Sequence, residues 1–191
     1  MDQSRYLQVI WCLQSLVLYI FVYHNLMYYI ITIDIAMWLA YLWMLWWLPY
    51  LIHNRRDVLS QFKISSLLIS ICFAIVMWQI SMLIADPEWS NRWLHAMGGG
   101  VAIALAYHLA AKDSHTQMTW VQYRVIGIMV CNMAGVFNEL IEHLAQSYTT
   151  IVFASTIWDT WLDLWSNLIG SSIAIIVLSM VYRQNYRIFS H

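Results

Sequence analysis

Trp158-Asp159-Thr160-Trp161-Leu162-Asp163-Leu164-Trp165-Ser166-Asn167 leads without a break into an apolar run that reaches residue 182. Residues 161–182 supply the roughly 20 residues that a bilayer-spanning helix needs, and yet the run opens on carboxylates. A second run, 120–145, closes on Asn138-Glu139-Leu140-Ile141-Glu142-His143. A charged side chain at the centre of a membrane helix costs about 2.5–3.5 kcal/mol on insertion scales. Acids in two neighbouring apolar segments therefore imply either a site or a clamp that holds the fold.

Working outward, apolar runs of spanning length cover residues 6–24, 28–52, 64–85 and 93–111 as well. The first boundary is the least marked, because residues 7–52 form one long apolar stretch; the turn is placed near His24-Asn25, with Asp34 as the other candidate. The breaks at His53-Asn54-Arg55-Arg56-Asp57, Asp86-Pro87-Glu88, Lys112-Asp113-Ser114-His115 and 146–150 are clearer. Of 191 residues, 62% are hydrophobic and 10% charged, which removes the chain from the soluble globular class. A net charge of −1 argues against a nucleic-acid partner. Two prolines and no polar linker point to one integral membrane domain over residues 1–191. Because backbone groups in hydrocarbon must be satisfied within each segment, the expected fold is all-α: a polytopic membrane bundle of about six helices. Cys12, Cys72 and Cys131 lie in apolar stretches at spacings that suit neither a zinc cluster nor a disulfide framework. Met1-Asp2-Gln3-Ser4-Arg5 leads directly into apolar sequence with no small-residue cleavage site, so the first span is expected to be a retained anchor.

Six spans place Arg5, Arg55, Arg56, Lys63, Lys112, Arg124, Arg183 and Arg187 on one side and Arg92 alone on the other. Positive charge favours the cytoplasmic side, so both termini are expected there, in a multi-pass protein of the cytoplasmic (inner) membrane. Trp43, Trp46 and Trp47 then mark the inner interface; Trp89, Trp93, Trp158 and Trp161 mark the outer one.

Threaded in that orientation, the polar groups of the spans converge. His95 opens the fourth span, Glu139, Glu142 and His143 close the fifth, and Asp159 and Asp163 open the sixth, all at the non-cytoplasmic end. Asp34 falls in the outer third of the second span, and His108 near the inner end of the fourth. On the fifth span Gly127, Cys131, Gly135, Glu139 and His143 recur every four residues; on the sixth, Asp159, Asp163, Asn167 and Ser171 do the same. His95, Gly99, Ala102 and Ala106 share a face of the fourth. Small residues mark close helix contact in membranes, so these stripes should face the bundle interior. An outward-facing polar pocket walled by spans four, five and six is expected. Gly98-Gly99-Gly100 lacks the strand–loop–helix setting of a phosphate loop and is expected to allow close packing or a local kink.

Asn91-Arg92-Trp93-Leu94-His95-Ala96-Met97-Gly98-Gly99, then Glu139-Leu140-Ile141-Glu142, then Trp158-Asp159-Thr160-Trp161-Leu162-Asp163-Leu164 resembles the YjdF-like family of bacterial inner-membrane proteins. Asp163-Leu164-Trp165-Ser166-Asn167-Leu168-Ile169-Gly170 is also similar to the Asp…Asn…Gly signature of VanZ-like proteins. The likeness covers roughly residues 85–180. That family has no established reaction, so the resemblance implies the location and the site residues and not a mechanism. His143 departs from the aromatic that tends to follow the second Glu in the family.

Three chemistries fit the cluster. His95, Glu139, Glu142, His143, Asp159 and Asp163 could form a mixed nitrogen and oxygen shell for a divalent metal, with Mn, Fe or Zn the compatible ions. Arg92 and the acids could instead clamp spans together, with Asn167 and Asp34 read singly as structural. An acid–base site could act on a lipid or polyprenyl headgroup at the outer leaflet. The leading expectation is a pocket that binds a divalent metal and an amphiphile headgroup, with catalysis left open. The competing class is a non-catalytic accessory subunit of a larger membrane complex, with the bilayer and other subunits as partners. His24, His53, His115 and His191 are expected to be solvated, and His108 to be a hydrogen-bonded interface histidine.

Overall fold

With no water to satisfy backbone amides in hydrocarbon, an apolar chain must close its hydrogen bonds locally, and this chain does so as helices. A computed structural model describes residues 28–53, 62–148 and 156–187. The expected span 6–24, the turn near His24-Asn25, and Arg5, Cys12, Arg55, Arg56 and His191 lie outside the described residues. The elements are α1 (Tyr28–His53), α2 (Ile64–Ser81), α3 (Pro87–Trp93), a π-helical segment (Leu94–Val101), α4 (Ala102–Asp113), α5 (Trp120–Tyr148) and α6 (Ile157–Arg187). No strand occurs among the described residues. α3, the π-helical segment and α4 form one continuous rod, Pro87–Asp113. Among the described residues, five helical stretches are long and apolar enough to cross a membrane: Ile33–Ile52, Ile64–Ser81, Pro87–Asp113, Trp120–Tyr148 and Ile157–Tyr182.

Several boundaries differ from expectation, two of them for a local reason. The third span was expected to reach 85, but α2 ends at Ser81, whose hydroxyl donates to the Trp78 carbonyl at 2.7 Å while Ser90 Oγ donates to the Ser81 carbonyl at 2.8 Å. The fourth was expected from 93 and begins at Pro87. Asp86 caps it, its carboxylate accepting from the Glu88 and Trp89 amides at 2.9 and 3.1 Å, with proline in the first helical position, where no amide hydrogen is needed. The sixth was expected from 161 and begins at Ile157, which makes Asp159 helical. α5 starts at 120 as expected. Thr119 and Gln122 cap it reciprocally, Thr119 Oγ1 accepting from the Gln122 amide at 3.2 Å and Gln122 Oε1 accepting from the Thr119 amide at 2.9 Å.

α4 is the hub. Ala102, Ala104, Ala106, Ala110 and Ala111 are all fully buried, and their small side chains let α1, α2, α5 and α6 close around it. At one end of the bundle, Lys63 pairs with Asp113 at 3.1 Å and Tyr41 Oη donates to Asp113 Oδ2 at 2.8 Å. There Tyr182 Oη donates to the Thr116 carbonyl at 2.7 Å, and His108 Nδ1 lies 2.8 Å from Tyr123 Oη, so His108 is hydrogen-bonded as expected. Trp46, Trp89, Trp158 and Trp161 are exposed.

The closest approach joins the π-helical segment to α6. A Cβ on Gly170 would stand 2.1 Å from the Ala96 carbonyl oxygen, and one on Gly100 would stand 2.7 Å from the Ser171 amide nitrogen. Gly98 is different, since its Cβ would meet only Leu94 Cδ1 at 3.4 Å. Gly170→Ala should therefore lower stability by about 1–3 kcal/mol or more, because backbone cannot step aside, whereas Gly98→Ala should leave the unfolding midpoint unchanged or slightly raised. Thermal unfolding of both variants in detergent checks this.

Candidate functional site

Three stretches converge at the end of the bundle opposite Lys63 and Asp113. The α3–π rod supplies Asn91, Arg92 and His95; α5 supplies Glu139 and Glu142; α6 supplies Asp159, Asp163 and Asn167. The four-residue step on α6 keeps its three groups in line, and the unwound π-helical turn begins at the residue before His95. π-helical turns occur mostly as isolated insertions, frequently at functional sites.

Arg92 organises the outer layer. One guanidinium nitrogen pairs with Asp159 and the other with Asp163, and the guanidinium also donates to the Asp159 carbonyl at 3.1 Å. Asn91 Nδ2 donates to the same Asp163 oxygen at 3.0 Å. Asp163 and Asp159 therefore act as a clamp between α3 and α6.

Beneath this clamp lies His95, buried along with Glu139, Asp163 and Asn167. Its Nε2 sits 3.3 Å from Asp163 Oδ1, and its Nδ1 sits 3.8 Å from Glu139 Oε1 and 3.4 Å from Asn167 Nδ2. A carboxylate opposite Nε2 favours the tautomer with hydrogen on Nε2, which leaves the Nδ1 lone pair facing Glu139 and Asn167. Asn167 fits because no side chain competes for its space: a Cβ on Gly99 would fall 2.1 Å from its Oδ1, and one on Gly135 would fall 3.0 Å from its Nδ2. Glu142 stands at the rim, its Oε1 accepting from Asn138 Nδ2 at 2.7 Å.

Two buried side-chain atoms have no hydrogen-bond partner among the described residues, Glu139 Oε1 and Asn167 Oδ1. Both are acceptors, and both belong to residues that touch His95. Leaving a buried polar group unmet costs about 1–3 kcal/mol. Ligand atoms of His95, Glu139 and Glu142 lie within 4.8 Å of one another. Donors arranged tetrahedrally at about 2.0–2.2 Å from a zinc-sized ion are about 3.4 Å apart, so the group is looser than a closed shell around one ion.

The six residues expected as ligands divide. His95, Glu139 and Glu142 come together, and Asp159 and Asp163 serve Arg92 and the imidazole. His143 is exposed and lies outside the cluster. A strict four-residue step advances about 40° beyond a full turn each time, so the stripe through Gly135 and Glu139 rotates out of the interface by His143, while Glu142 stays near it. Asp34 is half-buried on α1, which packs on α4 and α2, and it is not part of the cluster. A groove of about 430 Å³ lies along α5, lined by Met129, Asn132, Met133, Val136, Phe137 and Leu140. Asn91 is the site residue that sequence reasoning missed; reading Asp86-Pro87 as a helix start would have put it one turn before His95.

No protein-family model matches the chain, and no curated protein or solved structure matches it either.

Removing Arg92 would strand two acids in a poorly solvated position. Arg92→Met should cost about 3–5 kcal/mol, and adding Asp163→Asn to it should recover part of that loss. Chemical unfolding of the single and double variants in detergent checks the pair.

Proposed function

We propose that the protein is a six-span protein of the cytoplasmic (inner) membrane, with both termini inside, whose polar centre at the non-cytoplasmic end binds a divalent cation through His95, Glu139 and Glu142. The observation that carries this reading is the buried, unpartnered Glu139 oxygen facing the lone-pair side of His95, with Glu142 within reach of both. An orphaned acceptor beside an imidazole nitrogen calls for a positive charge or a donor, and a mixed nitrogen and oxygen set suits Mn, Fe or Zn. Asp163 supports the imidazole from behind, as the outer partners of metal-bound histidines commonly do. Lys63, Lys112 and Arg124 at the opposite end from Arg92 support the orientation.

The three segments that resemble the YjdF-like family, around His95, Glu139 and Asp163, are the ones that furnish this centre. A headgroup role draws on the apolar groove along α5, one of whose lining residues, Leu140, follows Glu139 in sequence. The accessory-subunit reading draws on the Arg92 clamp, which needs no ligand.

Metal analysis of the detergent-purified full chain by mass spectrometry separates these. After exposure to Mn, Fe and Zn, wild type should retain near-stoichiometric metal, and Glu139→Ala should lose it while keeping a cooperative unfolding transition. Wild type without retained metal would overturn the proposal and leave the clamp.

A further inference from the structure

We propose that Asn167 is the fourth donor of this centre, its amide oxygen completing the set made by His95, Glu139 and Glu142. The inference rests on the cation reading above and deepens it. Asn167 is 2% exposed and its Oδ1 has no partner, while its Nδ2 lies 3.4 Å from His95 Nδ1. That separation is the edge expected between two donors on one tetrahedral ion, about 3.4 Å for bonds of about 2.0–2.2 Å. The two ends of an amide have nearly the same size, so rotation by 180° about Cβ–Cγ exchanges oxygen for nitrogen without new volume. The rotated group places Oδ1 where Nδ2 stands, next to the imidazole lone pair and on the Glu139 side.

Two arrangements of one side chain then serve two purposes. In the observed orientation the amide N–H caps the histidine nitrogen. In the rotated orientation the carbonyl oxygen shares a cation with it. The surroundings permit the rotation and little else: Gly99 and Gly135 press on either side of the amide, so the group turns in place instead of swinging away. No charge accompanies the exchange, which leaves the two glutamates to balance a divalent ion.

The test uses Co²⁺ as probe, because its visible bands report coordination number and ligand type. Detergent-purified full-length wild type, Asn167→Asp and Asn167→Leu are titrated with Co²⁺, and folding is followed by thermal unfolding. An oxygen ligand predicts that Asn167→Asp binds as tightly as wild type or tighter, and that Asn167→Leu binds about tenfold more weakly or worse with altered bands. A purely N–H-donating Asn167 predicts the reverse for aspartate, since a carboxylate offers no hydrogen to His95. Weakened binding in Asn167→Asp, or wild-type bands and affinity in Asn167→Leu, overturns the proposal while the cation site stands. Absence of Co²⁺ binding in wild type overturns both. Should Asn167→Leu fail to fold, the aspartate variant alone decides.

Discussion

The contact between the π-helical segment and α6 is the constraint on which everything else around His95 depends. Backbone meets backbone there: the space a side chain would need at Gly170 is taken by the Ala96 carbonyl, and at Gly100 by the Ser171 amide. Between helices in lipid, where burial gives no hydrophobic advantage, such close packing is a main source of attraction. It also fixes distances. With the two backbones in contact, His95 has no alternative but to lie against Asp163 and Asn167, and Arg92, one turn earlier, spans both aspartates of α6.

Charge is then shared unevenly. One guanidinium answers both aspartates, and the glutamates of α5 are left without a cation among the described groups that touch them, apart from whatever charge His95 carries. A carboxylate in such surroundings is stable only with a partner of its own. The aspartates explain why the bundle holds at that end; the glutamates explain why it is of chemical interest. The same chain shows the opposite solution at the other end of the bundle, where Asp113 is met by both Lys63 and Tyr41 and, among the described residues, neither of its oxygens is left buried without a partner. The contrast between a saturated acid and an orphaned one is what distinguishes a clamp from a site in this protein.

Much of this was legible in the sequence, because membrane helices obey few rules. Runs near 28–52, 64–85 and 120–145 gave helices within a few residues, and alternating threading was enough to send His95, Glu139, Glu142, Asp159 and Asp163 to one end. What escaped was finer. Asp86-Pro87-Glu88 was read as a break when it is a cap and a first turn, and with it Asn91 was overlooked. His143 was grouped with Glu139 because four-residue spacing was extended over too many turns, and the accumulated rotation carries it to the surface. The π-helical turn could not be foreseen, since three glycines permit a kink without saying which one. Asn167 was read as structural. Its unpartnered oxygen is a property of three-dimensional packing and leaves no trace in spacing.

The proposed cation is held by protein nitrogen and oxygen beneath the Arg92 clamp. X-ray absorption at the metal edge of the loaded, full-length protein tests it most directly. The account predicts a first shell of nitrogen and oxygen only, at about 2.0–2.2 Å, with the outer-shell scattering of one imidazole that disappears in His95→Gln. A shell containing sulfur, a spectrum of the fully hydrated ion, or an imidazole signal that survives His95→Gln would contradict it.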